Sequence, residues 1–133
     1  MSITTPEGFR AAGVAAGLKQ SGNLDFAVIV NDGPIPATAA VFTSNRAKAN
    51  PILWSERAIK AMPTKAIVLN SGGANCFTGE EGYSNTEATA KALADALHTA
   101  PETVLVCSTG LIGEQLDLSK LLAGVEKAVA ELS

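Results

Sequence analysis

Val104-Leu105-Val106-Cys107-Ser108-Thr109-Gly110-Leu111-Ile112-Gly113 is the stretch on which the reading of this sequence turns. Its first residues form an uninterrupted apolar, β-branched run, the pattern of a buried strand. Its second half gives way to small polar residues and two glycines where a helix could begin. Gly110 and Gly113 let the backbone turn sharply and come close to a ligand. Unpaired N–H groups at such a turn, with the Thr109 hydroxyl beside them, suit a phosphate, a carboxylate or the oxyanion of an acyl-transfer intermediate. An ordinary strand-to-helix turn would carry the same residues, so the pattern alone leaves both readings open.

The arrangement has a counterpart upstream. Residues 66–69 read as a buried strand that runs into Asn70-Ser71-Gly72-Gly73-Ala74-Asn75-Cys76-Phe77-Thr78-Gly79. That glycine-rich loop suits close backbone packing or side-chain amides aimed into a cleft, and equally a plain long connection. Ser84 or Asn85 is placed to cap a helix through Ala88, Leu93, Ala94 and Leu97. A last helix over 118–132 carries Leu118, Leu121, Leu122, Val125 and Val129 on one stripe. Nearer the start, runs 26–30 and 39–43 flank Asn31-Asp32-Gly33-Pro34, which predicts a hairpin or meander. Residues 11–18, interrupted by Gly13 and Gly17, read as a strand approached closely by a backbone or ligand. Pro51 opens a helix through Trp54, Ala58 and Ile59 that Pro63 ends.

Composition bounds the function. The 133 residues, 47% hydrophobic, fit one globular domain over 1–133 with no dividing linker. A net charge of −3 with scattered Lys and Arg argues against nucleic acid as a partner. No apolar run approaches the roughly 20 residues of a membrane helix, and the first residues lack a signal-peptide pattern, so a cytoplasmic protein off the membrane is expected. Two cysteines and one histidine leave too few ligands for a zinc site, and no metal is expected.

Nucleophiles are hard to find. Cys76 and Cys107 stand at plausible elbows, but His98 is the one histidine that could serve as base, and it reads as the exposed end of an alanine-rich helix. Glu80 and Glu81 are neighbours on the predicted loop and do not face one another. Neither G-x-x-x-x-G-K-[ST] nor G-x-G-x-x-G is present. An oxyanion site without a nucleophile performs no chemistry, so the chain reads as one part of a composite active site.

Four segments in order carry a resemblance that explains the gap: Phe9-Arg10-Ala11-Ala12-Gly13-Val14-Ala15-Ala16-Gly17-Leu18-Lys19, Ala40-Val41-Phe42-Thr43-Ser44-Asn45, Leu69-Asn70-Ser71-Gly72-Gly73-Ala74-Asn75-Cys76, and Cys107-Ser108-Thr109-Gly110-Leu111-Ile112-Gly113-Glu114. Together they resemble the N-terminal, α-chain part of the ornithine acetyltransferase family, the bifunctional glutamate N-acetyltransferases of arginine biosynthesis. The resemblance runs from about Gly8 to Val125.

It implies an α/β fold, a layered α/β sandwich of the ornithine acetyltransferase (DmpA-like) type with sheets between helices, of which this is a partial N-terminal domain. It further implies a precursor that cuts itself into α and β chains. The β chain's new N-terminal threonine would accept acetyl from N-acetylornithine and pass it to glutamate in a ping-pong cycle. The family's oxyanion residues fall here on Thr109 and Gly110. The family's M-T-T-D segment, its lysine-containing glycine-rich segment and its A-T cleavage junction all lie beyond Ser133, as do most substrate-binding positions. The resemblance therefore predicts a chain inactive alone and active in an αβ assembly that associates further. No cofactor is implied, and acetyl-CoA as a second acetyl donor is left open. Outside that family, the remaining readings are a non-catalytic α/β fragment that binds an acidic small molecule or phosphate, or one that self-associates.

Overall fold

The structure, a computed structural model, describes residues 2–133. Its apolar runs assemble one four-stranded sheet in the order β1-β2-β3-β4, with β1 Phe9–Val14, β2 Phe26–Asn31, β3 Ala66–Gly73 and β4 Val104–Leu111. β2 pairs antiparallel with β1 and β3, and β4 runs parallel to β3. A parallel neighbour needs a long crossover. Here it is α2, Gly79–Ala96, followed by a 3-10 turn at Pro101–Thr103. α1, Asn50–Ala61, links β2 to β3, and α3, Leu118–Ala130, follows β4.

Strand alternation sends successive side chains to opposite faces, and the two faces of this sheet differ. One carries Val28, Val30, Val68, Val104 and Val106, all buried against Leu93 and Ala94 of α2 and Leu121 and Val125 of α3. α3 lies close to the sheet at Gly124, where an added Cβ would come within 2.9 Å of Phe26. The other face carries Ile29, Ile67 and Leu69, half-buried, with Leu105 and Cys107 continuing it on β4, and no helix lies across it. α1 instead guards the outer edge of β4. Trp54 Nε1 donates to the Val104 carbonyl at 2.9 Å. Ser55 Oγ donates to the Val106 carbonyl and accepts from the Val106 N–H, both at 3.0 Å. An open strand edge invites association, and these two side chains close its lower half.

Several local expectations are corrected. Residues 39–43 form no strand, because both edges of β2 are already taken by β1 and β3 and the predicted hairpin partner has nowhere to pair. The strand expected over 11–18 is Phe9–Val14, and residues 15–19 leave the sheet to wrap the Asp25 carboxylate. β3 continues through Asn70–Gly73, which had read as loop, since those residues pair with Ser108–Leu111. For the same reason β4 does not turn into a helix at Gly110. α3 starts at Leu118, where the sequence placed it, and Asp117 accepts the N–H groups of Ser119 and Lys120 as its cap. α2 starts at Gly79, so Ser84 and Asn85 lie inside it and not at its cap. Glu80 and Glu81 thus occupy its first turn, where negative charge meets the positive end of the helix dipole. α1, from Asn50 with Pro51 in its first turn, and the stripe on α3 match the sequence reading.

Candidate active site

The upper half of β4 is the part of its outer edge that α1 leaves open. Within a strand, the N–H and C=O of alternate residues point to opposite sides. The Val104 carbonyl and both the carbonyl and N–H of Val106 meet α1, and the Leu111 carbonyl accepts from the Ala74 N–H at 2.7 Å on the β3 side. Alternation therefore turns the N–H groups of Ser108 and Gly110 to the outer edge. Thr109 pairs with Ser71 and is exposed on the uncovered face, beside a cavity of about 530 Å³ whose walls include Leu24, Leu69, Asn70, Ser71 and Cys107. The Thr109 hydroxyl and the Gly110 N–H thus meet at one corner, where the open face joins the open edge.

The corner is braced from behind. Gly110 has φ +133 and faces Gly72, at φ +122, across the ladder. An added Cβ on Gly110 would lie 2.6 Å from the Gly72 carbonyl carbon, so glycine is required there by backbone contact as well as by φ. Two residues earlier on each strand, Ser108 Oγ donates to Asn70 Oδ1 at 2.5 Å, and Asn70 Nδ2 donates to the Gly73 carbonyl at 3.3 Å. Beneath β3, the Ser71 N–H donates to the Asp25 carbonyl at 2.8 Å. The Asp25 carboxylate itself accepts the Ala16 N–H at 2.6 Å and the Lys19 N–H at 2.8 Å. Burial opposes the charged form of Asp25, yet the N–H groups of Lys19, Ala16, Leu18 and Gly17 outweigh it and hold the carboxyl below its ordinary pKa. Sequence reading missed Asn70, Asp25 and Ser108 as supports. The polar residue opposite each strand end was visible, but the parallel register that joins Asn70 to Ser108 was not.

The glycine-rich stretch after β3 is no cleft. Asn75, 2% exposed and at φ +51, donates through Nδ2 to the Gly82 carbonyl and to Thr86 Oγ1, each at 2.8 Å. Its Oδ1 accepts from Thr78 Oγ1 at 2.6 Å, and Thr78 Oγ1 in turn accepts from Asn50 Nδ2 at 2.8 Å. This closed polar network ties the start of α1 to the start of α2. It also holds the chain beyond the β4 corner, since the Gly113 N–H donates to the Cys76 carbonyl at 2.8 Å and Gln115 Nε2 to the Thr78 carbonyl at 2.7 Å.

The other candidates do not assemble. Cys76 is buried next to that network at the start of α2. His98 is exposed past the far end of the same helix, about 27 Å away at 1.5 Å per residue. Cys107 lies on the open sheet face, opposite the helical layer that ends in His98, and desolvation pushes its thiol above the ordinary value, away from the reactive thiolate. Among the described residues no three His, Cys, Asp or Glu side chains gather as a metal site, and no helix is long and apolar enough to cross a membrane.

A mixed α/β sheet, helices on one face, the other face open, and a glycine-kinked parallel strand pair at its corner define the class of fold. Comparison places it more closely: the ArgJ family model matches residues 10–133, and the chain belongs to the ArgJ family. It is 56% identical over 98% of its length to the arginine biosynthesis bifunctional protein ArgJ of Thermobifida fusca, and covers 34% of that protein. With the same-named protein of Mycobacterium tuberculosis H37Rv it shares 52% identity over 98% of its length, and covers 33% of that relative. A solved structure of ornithine acetyltransferase complexed with ornithine, from M. tuberculosis, superposes with a TM-score of 0.96 at 51% identity, over 98% of this chain and 70% of that one. The fold is therefore that of the ornithine acetyltransferases. The chain spans about a third of the length of the curated relatives it matches.

Proposed function

We propose that this chain is the N-terminal, α-chain portion of a glutamate N-acetyltransferase that takes acetyl from N-acetylornithine, and that Thr109 and Gly110 form its oxyanion hole. The observation that carries this reading is the corner itself, where a strand alternation sends the Gly110 N–H to an open edge beside the exposed Thr109 hydroxyl. Two donors fixed by a glycine-kinked ladder need no rearrangement when negative charge develops on a carbonyl oxygen, which is what gives such holes their effect.

The nucleophile comes from elsewhere. In the proposed cycle the N-terminal threonine of a separate β chain, produced by self-cleavage of a common precursor, attacks the acetyl carbonyl while its own amine takes the hydroxyl proton. The carbonyl π bond opens, and its oxygen carries the charge into the Thr109–Gly110 corner. The C–N bond then breaks, ornithine leaves with the proton, and an acetyl ester remains on the threonine. The glutamate amine attacks that ester through a second oxyanion at the same corner, giving N-acetylglutamate and the free threonine. No cofactor takes part in either half, and acetyl-CoA would enter only as a second donor to the same threonine. Support for a protein cut in two comes from the solved M. tuberculosis polypeptide. By the shares of each that this chain covers, it is roughly half the length of its curated counterpart. The αβ pairs are proposed to associate further.

The test is the assembled enzyme, with this chain coexpressed with the remainder of a relative's polypeptide. Thr109→Ala is expected to lower kcat about 100- to 1,000-fold, the usual cost of one oxyanion donor, with KM little changed. Full activity of that variant rejects the assignment.

A further inference from the structure

We propose that Asn70 is a positioning residue for the acetyl transfer: its side-chain amide spans the glycine kink and sets the direction of the Gly110 N–H. The inference rests on the reading that Thr109 and Gly110 hold the oxyanion, and concerns the layer of side chains behind them. Gly72 and Gly110 face each other with φ +122 and +133. Glycine has the backbone least restricted by a side chain of its own. A donor mounted on such a pair therefore takes its direction from whatever anchors the chain before and after it.

Asn70 supplies an anchor on each side. Its Oδ1 accepts from Ser108 Oγ at 2.5 Å, before the kink on β4, and its Nδ2 donates to the Gly73 carbonyl at 3.3 Å, beyond the kink on β3. One planar amide thus joins the stretch entering the kink on one strand to the stretch leaving it on the other. On β4 the bonds from α1 end at Val106, so Ser108 is the next side-chain anchor below the kink. The helix-covered face of the two strands is otherwise apolar, with Ala66 and Val68 on β3 and Val104 and Val106 on β4. Asn70, 7% exposed, and the half-buried Ser108 interrupt that run. Folding alone gives little reason for such a pair, since replacing both partners of a buried hydrogen bond by apolar groups of the same shape can be nearly neutral. Donor placement does give a reason, because a misplacement of about 1 Å at a reacting centre can cost on the order of 100-fold in rate.

The experiment uses this chain coexpressed with the remainder of the T. fusca relative, and reads acetyl transfer from N-acetylornithine to glutamate beside urea unfolding. Asn70→Leu, which removes both bonds and keeps a side chain of similar shape, is expected to lower kcat about 10- to 100-fold with KM within about twofold. Ser108→Ala severs the tie to β4 alone and should lose less, and it serves equally if Asn70→Leu fails to fold. Ser108→Thr, which keeps the hydroxyl, should restore kcat. Coupling to Thr109→Ala separates positioning from a merely structural role. Groups that act as a unit lose less together than the product of their separate losses. Ser108→Ala is therefore expected to lower kcat by a smaller factor in the Thr109→Ala background than in the unsubstituted enzyme. Losses that multiply, as those of independent sites do, overturn the proposal. So does a loss confined to KM, or a fall in kcat that Ser108→Thr shares with Ser108→Ala. Full activity of Thr109→Ala rejects the oxyanion reading and this proposal with it, whereas a slow Thr109→Ala beside normal Asn70→Leu and Ser108→Ala enzymes rejects the positioning role alone.

Discussion

After Asn70, β3 runs into Ser71-Gly72-Gly73-Ala74-Asn75, and after Ser108, β4 runs into Thr109-Gly110-Leu111-Ile112-Gly113, in matching register as far as Gly73 and Leu111. Both ends are made of small polar residues and glycine, yet they are used in opposite ways. The first continues into a buried network in which Asn75, Thr78, Gly82 and Thr86 satisfy one another. The second stays exposed, with Thr109 and Gly110 both open to solvent. Glycine-rich composition at a strand end therefore marks close backbone approach and says nothing about which side the polar groups face. Helix packing decides that: α1 and α2 close over the β3 extension, and among the described residues nothing closes over the β4 corner.

Changes in the buried network should have the largest effect on folding. At Gly82 an added Cβ would fall 2.1 Å from Thr78 Oγ1 and 2.4 Å from Asn75 Oδ1. Both atoms are locked in hydrogen bonds and neither is the free end of a flexible chain. Gly82→Ala is expected to cost about 3 kcal/mol in urea unfolding, through overpacking and the bonds it breaks. A cost under about 0.5 kcal/mol, the range of an ordinary surface change, would mean that the network is loose and the contrast between the two ends is not one of packing. Asn75→Ala comes next. It leaves the Gly82 carbonyl and Thr86 and Thr78 hydroxyls short of partners and puts alanine at φ +51. About 2 kcal/mol is expected, from unsatisfied buried groups and the left-handed backbone together.

Asp25 tests the bracing beneath the corner. Its residue is 3% exposed, and its carboxylate gathers the 16–19 loop while its carbonyl holds Ser71. Asp25→Asn should cost about 1 to 2 kcal/mol at neutral pH, since charge-assisted bonds from backbone N–H groups are among the stronger ones. The folded pKa is depressed below the ordinary 3.8, so the unfolded chain binds the proton first as pH falls. The contribution of Asp25 is fully present above that ordinary value and fades as pH drops through the folded pKa. Unfolding free energies of the two proteins, followed by urea titration from pH 7 to pH 3, should therefore converge at the acidic end. A gap that stays constant would remove the carboxylate's charge from the account.

The helices and strands were legible wherever side-chain periodicity is set by burial: α1 from Pro51 and Trp54, α3 from its leucine and valine stripe, and the apolar halves of β2, β3 and β4. The polar halves of β3 and β4 were not, because Asn70 to Gly73 and Ser108 to Leu111 are strands only by virtue of each other. That pairing joins residues 38 positions apart, and neither partner has the composition of a strand. Residues 39–43 failed in the other direction, with strand composition and no partner. The oxyanion candidates Thr109 and Gly110 were singled out from glycine and hydroxyl residues at a strand end. Their donors were expected at a helix start, whereas the geometry places them at an open ladder edge.

The smallest stability change is expected at the corner itself. Thr109 is exposed on a face that no helix covers, so Thr109→Ala removes little buried surface. Its unfolding free energy should stay within about 0.5 kcal/mol of the unsubstituted chain. Set beside the expected fall in kcat, that small change separates a donor held for chemistry from one held for folding. The Asn75 amide would show the reverse pattern, with a large loss of stability. A Thr109→Ala variant that unfolds as easily as Asn75→Ala would place both strand ends in one structural role, and the distinction between them would then lie in exposure alone.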